Sequence, residues 1–241
     1  MENISYIGLS KQIALTRQME LVSNNIANLN TNGYQGNKAM FNEYIFEPKS
    51  EEPVSMVLDY GSYRDETPGP ITQTGNPLDM ALSGSGYIAI EDQEGIERYT
   101  RNGSFQLNAE RELVNSSGLR VMSQNGGAIV FPEDSREIKI TTKGEITADG
   151  RSIGQLKLAE FENDQMLENI GGSLLSADNA TPVGDEITTE VFQGAVENSN
   201  VNPVLELTDM IELSRLYQAT ARLMQSDHER QQNAIRTLSQ V

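Results

Sequence analysis

The chain of 241 residues has no cysteine, no tryptophan and one histidine. Without cysteine there is no disulfide, no thiolate metal site and no cysteine nucleophile. Any Ser-His-Asp triad or histidine-based zinc site would depend on His228 alone. That residue lies in "QSDHERQQ", a polar helical stretch, and reads as an exposed surface position. No segment approaches the ~18 apolar residues that a membrane-spanning helix needs. The N-terminus lacks a basic segment, an apolar core and a small-residue cleavage site, so a cleavable signal peptide is not expected. Hydrophobic residues make up 37% and aromatics 6%. That is lean for a single compact globule, so some apolar surface is expected to be covered by another body. Positive charge is also scarce. Eighteen Lys and Arg stand against 35 Asp and Glu, a net charge of −17, which argues against nucleic acid as a partner.

The charge is unevenly spread. Residues 1–35 sum to zero and 201–241 to −1, which leaves −16 for residues 36–200. Two near-neutral ends flank an acidic centre, and near-neutral surfaces can pack copy against copy without large repulsion.

The ends read as helices. Over residues 3–30, Leu15, Met19, Val22, Ile26 and Leu29 recur at spacings of 4 and 3, the period of a coiled-coil seam. Gly33 suits a left-handed position ending this helix. At the other end, Asn202-Pro203 is a strong start, an N-cap side chain followed by a first-turn proline. Met210, Leu213, Tyr217, Thr220 and Met224 repeat the seam spacing, and the frame continues to Leu238. A helix from 203 to about 238 would be roughly 50 Å long and needs a partner along its seam.

Residues 36–77 hold Pro48, Pro53, Pro68 and Pro70 with several glycines, and read as an extended ribbon or loop. From 78 to 193 short apolar runs alternate with turns such as Asn102-Gly103, Lys143-Gly144 and Asp149-Gly150, which predicts an irregular all-β domain. The expected strands include Met80–Leu82, Tyr87–Glu91, Glu97–Arg101, Phe105–Leu107, Ile129–Phe131, Ile138–Thr141 and Ile146–Ala148. The fold class is therefore α+β: an N-terminal helix (1–35), a ribbon (36–77), an all-β domain (78–193) and a C-terminal helix (194–241), the two helices packing as a coiled-coil-like unit.

Candidate chemistry is sparse. "SGSGY" (83–87) has neither the lysine nor the following helix of a phosphate loop and reads as a β-turn. Glu91, Asp92 and Glu94 do not follow calcium-loop spacing. No catalytic residue, metal site or cofactor is assigned.

The asparagines are more informative. "SNNIANLNTNGY" (23–34) carries far more of them than ending one helix requires. Asn24, Asn25 and Asn28 lie beside the apolar seam, and "ENSNVNP" (197–203) repeats the habit with Asn200 and Asn202. An amide donates and accepts without charge, and buried amides must be paired. Two arrangements meet that need, a helical hairpin within one monomer and assembly between copies. The pattern favours assembly, with these asparagines and the seam residues at the subunit interface.

Four stretches together resemble the bacterial flagellar rod and hook proteins. They are "SNNIANLNTNGYQ", "TQTGNPLDMALSGSGYIAIED" (72–92), "YTRNGSFQLNAERELVNSSGLRVM" (99–122) and "GAVENSNVNPVLELTDMIELSRLYQATARLMQ" (194–225). The opening segment looks most like the proximal-rod members, with the distal rod protein as the alternative. Gly84-Ser85-Gly86 departs from the family's usual bulkier or acidic middle residue. The resemblance implies a non-enzymatic subunit without cofactors, stacked helically with other proximal and distal rod subunits into a hollow, torque-transmitting shaft. It further implies export through the flagellar type III apparatus, a place in the periplasm-spanning rod, and no insertion into the membrane. The contrasting class, a carbohydrate-binding or hydrolytic β domain with helical appendages, would need a pocket with converging perturbed groups.

Overall fold

The structure, a computed structural model, describes residues 2–46, 54–133, 135–184 and 187–238. Pro48 and Pro53 of the expected ribbon lie outside the described residues. In chain order the chain forms α1 (Glu2–Ala27), then the hairpin of β1 (Asn37–Phe46) and β2 (Val54–Arg64). Next come β3 (Ile71–Gln73), β4 (Met80–Ser83), β5 (Tyr87–Glu91), β6 (Glu97–Thr100), β7 (Phe105–Leu107) and β8 (Leu113–Asn115). After them follow β9 (Arg120–Val121), β10 (Ile138–Ile140), β11 (Glu145–Ala148), β12 (Arg151–Gln155) and β13 (Leu158–Ala159). The chain ends with β14 (Glu168–Gly171), β15 (Leu174–Ser176), β16 (Glu190–Gln193), β17 (Ala195–Glu197) and α2 (Pro203–Leu238). These elements form two units. A helical unit comprises Met1–Ala27, Gly36–Asp65 and Asn202–Val241, and a β unit comprises Asn28–Gln35 and Glu66–Val201.

In the helical unit α1 packs on α2 and on both strands of the hairpin. The segment expected as an extended ribbon or loop contains a regular antiparallel pair from Asn37↔Arg64 to Phe46↔Val54. Its register shifts between Met40 and Phe41, opposite Gly61 and Asp59. Tyr60 is the extra residue, and the Asp59 carboxylate accepts the Gly61 N–H to hold the bulge. The start of α2 is as the sequence predicts. Asn202 Oδ1 accepts the Val204 and Leu205 N–H groups at 3.0 and 3.3 Å, with Pro203 in the first turn. The end of α1 is not. It stops at Ala27, and Asn28 turns the chain by accepting the Thr31 N–H on its carbonyl and the Thr31 hydroxyl on its side chain.

The β unit has one large antiparallel sheet in the order β14-β15-β6-β5-β9-β8-β7, with β13 also on β5. A three-stranded sheet β10-β11-β12 and the pairs β16-β4 and β17-β3 complete it. β5 alternates Tyr87, Ala89 and Glu91 against Ile88 and Ile90, yet Tyr87 to Ile90 are all buried, because both faces of the strand are covered. Ile88 and Ile90 point into the main core with Met80, Leu82, Leu113, Ile129, Phe131 and Ile146. Tyr87 points the other way, into a second cluster with Phe161, Leu167 and Leu175. The expected strand at Ile129–Phe131 is reduced to a single bridge between Glu112 and Val130. The sequence did not reveal β16 and β17. They return the chain from residue 190 to pair with β4 and β3, more than a hundred residues earlier.

One buried carboxylate closes this return. Glu160 Oε1 accepts the N–H and the hydroxyl of both Thr188 and Thr189, at 2.6–3.0 Å. Burial alone would raise its pKa. The Thr189 donors, followed by those of Thr188, outweigh burial and hold it below the ordinary 4.5. A carboxyl depressed in the folded state contributes stability that is complete above pH 4.5 and lost as pH falls through the depressed value. The urea midpoint of the β unit should therefore decline as pH falls below about 4.5. Glu160→Gln should lower the neutral-pH stability by about 1–3 kcal/mol and flatten that decline. An unchanged slope in the variant would remove Glu160 as its source.

Candidate assembly interface

The two helices run antiparallel, joined across 181 positions of sequence. Near the end of α1, Asn25 bonds Glu206 at the start of α2. Near the start of α1, Gly8 faces Met224, where a Cβ would lie 2.8 Å from the Met224 Cγ. The face of α2 turned to α1 is the seam read from sequence. Met210, Leu213, Tyr217 and Met224 are half-buried and Thr220 is buried, with its hydroxyl on the Leu216 carbonyl. The α1 face is broader than the predicted stripe. Ala14, Leu15 and Leu21 are buried, whereas Met19, Val22 and Ile26 are half-buried. The reason is geometric: α1 is covered on one side by α2 and on another by the hairpin, so its buried stripe spans two seams. Leu29 falls beyond the helix, in the turn.

Asn25 is buried at 3% exposure, and its amide is used within the chain. Oδ1 accepts the Asn37 N–H at 2.9 Å, and Nδ2 donates to the Asn37 carbonyl at 3.0 Å and to Glu206 Oε1 at 3.2 Å. The side chain pairs with the first residue of β1 as a neighbouring strand would, and so fixes where the hairpin leaves the helix. Within one chain, then, the Asn25 amide already has partners on β1 and α2. Burial raises the Glu206 pKa above 4.5; the Asn25 bond opposes that, Asp209 reinforces it, and Lys38 offsets it. Of the other asparagines, Asn28 holds the turn, Asn24 is exposed and Asn202 caps α2. Asn200 donates to the Thr67 carbonyl from its amide and to the Tyr34 carbonyl from its backbone. Asn25→Ala improves helix propensity but leaves both Asn37 backbone groups without this partner. It should lower the melting temperature of the helical signal in the full-length chain, equivalent to about 1–3 kcal/mol. An unchanged or higher melting temperature would return Asn25 to a surface role.

Sequence reasoning missed the charged node of the β unit. Arg101 and Glu197 are 4% and 1% exposed. Arg101 Nε and Nη2 donate to Glu197 Oε2 at 3.0 and 2.9 Å, and Nη1 donates to the Gly84 and Gly86 carbonyls. Glu197 Oε1 accepts the Gly69 N–H, and its carbonyl accepts the Gly33 N–H at 2.7 Å. The guanidinium also lies over the Tyr87 ring, 5.7 Å from its centre. Four sequence-distant stretches meet here: residues 28–35, the stretch around Gly69 before β3, residues 84–101 and β17. The available signal was that "TRNG" and "AVENSN" each place a charge inside an otherwise strand-like, glycine-flanked run.

The surface of the helical unit is unusual in its apolar content. Val204, Leu205, Leu207, Ile211 and Leu223 of α2 are exposed, Val204 to 70% and Leu223 to 68%. So are Tyr6, Leu9 and Ile13 of α1, and Tyr44, Ile45, Phe46, Leu58 and Tyr60 of the hairpin. Large exposed apolar patches mark interaction sites, and these side chains are the candidates for such patches on the helical unit. A cleft of about 360 Å³ opens between α1, the start of β1 and α2, lined among others by Leu21, Lys38, Asp209, Glu212 and Leu216. His228 is exposed on the helix, its Nε2 2.9 Å from Gln232 Nε2. No group of three or more His, Cys, Asp or Glu side chains suited to a metal occurs among the described residues.

Comparison with known proteins covers the same stretches. Residues 6–35 match the family described as flagella basal body rod protein. Residues 81–148 match the flagellar hook protein FlgE/F/G D1 domain, and 193–237 the flagellar basal body rod FlgEFG protein C-terminal family. The chain is 32% identical over 245 residues to the flagellar basal-body rod protein FlgF of Caulobacter vibrioides, covering all of both chains. It is 31% identical to FlgF of Mesorhizobium japonicum, over 99% of this chain and 98% of that one. It is 32% identical to the rod protein FlgG of Agrobacterium fabrum, over 88% and 90%. Paired terminal helices with exposed apolar side chains and a sheet unit closed by a buried ion pair are the setting in which these matches fall, and they mark a structural flagellar protein. The chain belongs to the flagellar basal-body rod protein family, FlgF/FlgG, a family of non-enzymatic components of the bacterial flagellum.

Proposed function

We propose that this chain is the FlgF-type subunit of the proximal rod. It stacks helically with other rod proteins into the hollow shaft that carries torque through the periplasm, and it reaches that site through the flagellar type III export apparatus. The observation that carries the assembly reading is the exposed apolar surface of α2, which a lone subunit would leave in water. The proximal assignment is supported by the alignments. The FlgF relatives from Caulobacter and Mesorhizobium match over essentially their whole length, whereas the FlgG relatives from Agrobacterium and Bacillus subtilis cover 88% and 93% of this chain. The distal rod is the second reading, because identity to the Agrobacterium FlgG is equally high. The test is electron microscopy of purified basal bodies from a strain carrying a tagged copy. Label at the membrane-proximal end of the rod is expected. Label confined to the distal rod would assign the FlgG role, and absence of label from the rod would overturn the reading. Secretion of the tagged chain should stop in a strain whose flagellar export apparatus is inactive.

A further inference from the structure

Around the axis of α2, three faces can be separated at about 100° per residue. The first is the seam toward α1, Met210, Leu213, Tyr217, Thr220 and Met224. A second, about 150° away, carries Val204, Leu207, Ile211, Arg215 and Arg222. A third, about 90° to the other side of the seam, carries Leu205, Asp209, Glu212, Leu216 and Leu223. All ten residues of the second and third faces are exposed. Between Val204 and Arg222 the second face is apolar and basic; Glu229 continues it further along the helix. Between Leu205 and Leu223 the third is apolar and acidic, with Arg230 further along the helix, and it borders the cleft beside α1, where Glu206 adds a further carboxylate beside Lys38.

We infer that neighbouring copies of this chain join through α2 in one direction, the Arg215–Arg222 face of one copy seated on the Asp209–Glu212 face and cleft of the next. The inference rests on the reading of the chain as a rod subunit and specifies its lateral contact. Opposite charges meet in that arrangement while the leucines, Ile211 and Val204 cover one another. The two symmetric alternatives each bring like charges together. Two basic faces would oppose Arg215 and Arg222 to their own copies, and two acidic faces would do the same for Asp209 and Glu212, which is repulsive and costs specificity to no gain. A contact between two different faces of the same element is heterologous. Repeated, it generates a ring or a climbing helix rather than a closed dimer.

The absence of cysteine provides a clean background for the test. Leu207→Cys marks the basic face and Leu216→Cys the acidic face. In a strain lacking the native copy, basal bodies containing the doubly marked chain are treated with a flexible bis-maleimide. A ladder of cross-linked copies is expected with both cysteines present, and no cross-link with Leu207→Cys or Leu216→Cys alone. A dimer from either single variant, or no ladder in rods that contain the doubly marked chain, would overturn the heterologous contact and leave the rod-subunit reading intact. If the unmodified chain is itself absent from rods, both fall. Charge reversal gives a second measurement. Arg215→Glu with Arg222→Glu should abolish the ladder and swimming, and adding Asp209→Arg with Glu212→Arg should restore both. Failure of the combined variant to restore assembly, with an unchanged helical spectrum, would count against charge as the selector.

Discussion

Glu197→Ala should lower the stability of the β unit by about 3–5 kcal/mol, because it leaves the Arg101 guanidinium buried without its counter-charge. Measured as a shift in the urea midpoint of the full-length chain, this is a large share of the roughly 5–15 kcal/mol available to a typical domain. The loss extends beyond the ion pair. Glu197 also accepts the Gly69 N–H at 3.0 Å, so the stretch before β3 loses this bond to β17. Arg101→Ala should cost a comparable amount, since it strands a carboxylate that is 1% exposed and frees the Gly84 and Gly86 carbonyls. A buried pair is not in itself strong evidence of stabilisation, because apolar residues of similar volume can do as well. The double replacement Arg101→Met, Glu197→Leu is therefore expected to recover much of what either single change loses. Single variants that unfold within about 1 kcal/mol of the parent, the range of exposed pairs, would show that the pair is not a closing element.

Gly33→Ala is the second large effect. The glycine sits at φ +68°, where an alanine is strained by about 1–2 kcal/mol. A Cβ there would also lie 2.4 Å from the Arg101 carbonyl carbon, 2.5 Å from its oxygen and 2.6 Å from the Asn102 nitrogen. These are backbone atoms that cannot rotate aside. Overpacking adds about 1–3 kcal/mol, and the shift would weaken the adjacent Gly33 N–H bond to the Glu197 carbonyl. Gly118 supplies the control. It has a similar φ of +79° but open space around its Cβ position, so Gly118→Ala should show the backbone strain alone. A Gly33→Ala variant no less stable than Gly118→Ala would mean that the close approach to Arg101 is not maintained in solution. The sequence assigned Gly33 to ending α1. The structure places it six residues past Ala27, and its conformation serves the contact with Arg101.

The elements whose signals are local were legible. The start of α2 was set by Asn202-Pro203, its seam by the spacing from Met210 to Met224, and strands such as β5 and β7 by short apolar runs between glycine turns. The same holds for the reading of a non-enzymatic flagellar subunit, because four family-like motifs lie in order along the chain and fall in or against the three matched regions. β16 and β17 were not legible. They exist only because β4 and β3 are present to pair with them, and nothing within residues 190–197 records that partner.

By itself, the sequence determined the period of each helix, the acidic centre and the family. Each of these depends on residues close together in the chain or on summed charge. The tertiary structure decided which groups meet. It brought Asn25 to the backbone of Asn37, Glu197 to Arg101, and the α2 seam to α1. That left two outward faces of α2 for neighbours. An amide, a carboxylate or a leucine carries the same chemistry in every environment. Its use is fixed by the atoms that folding places within about 3 Å of it, and for these residues those atoms come from distant parts of the chain.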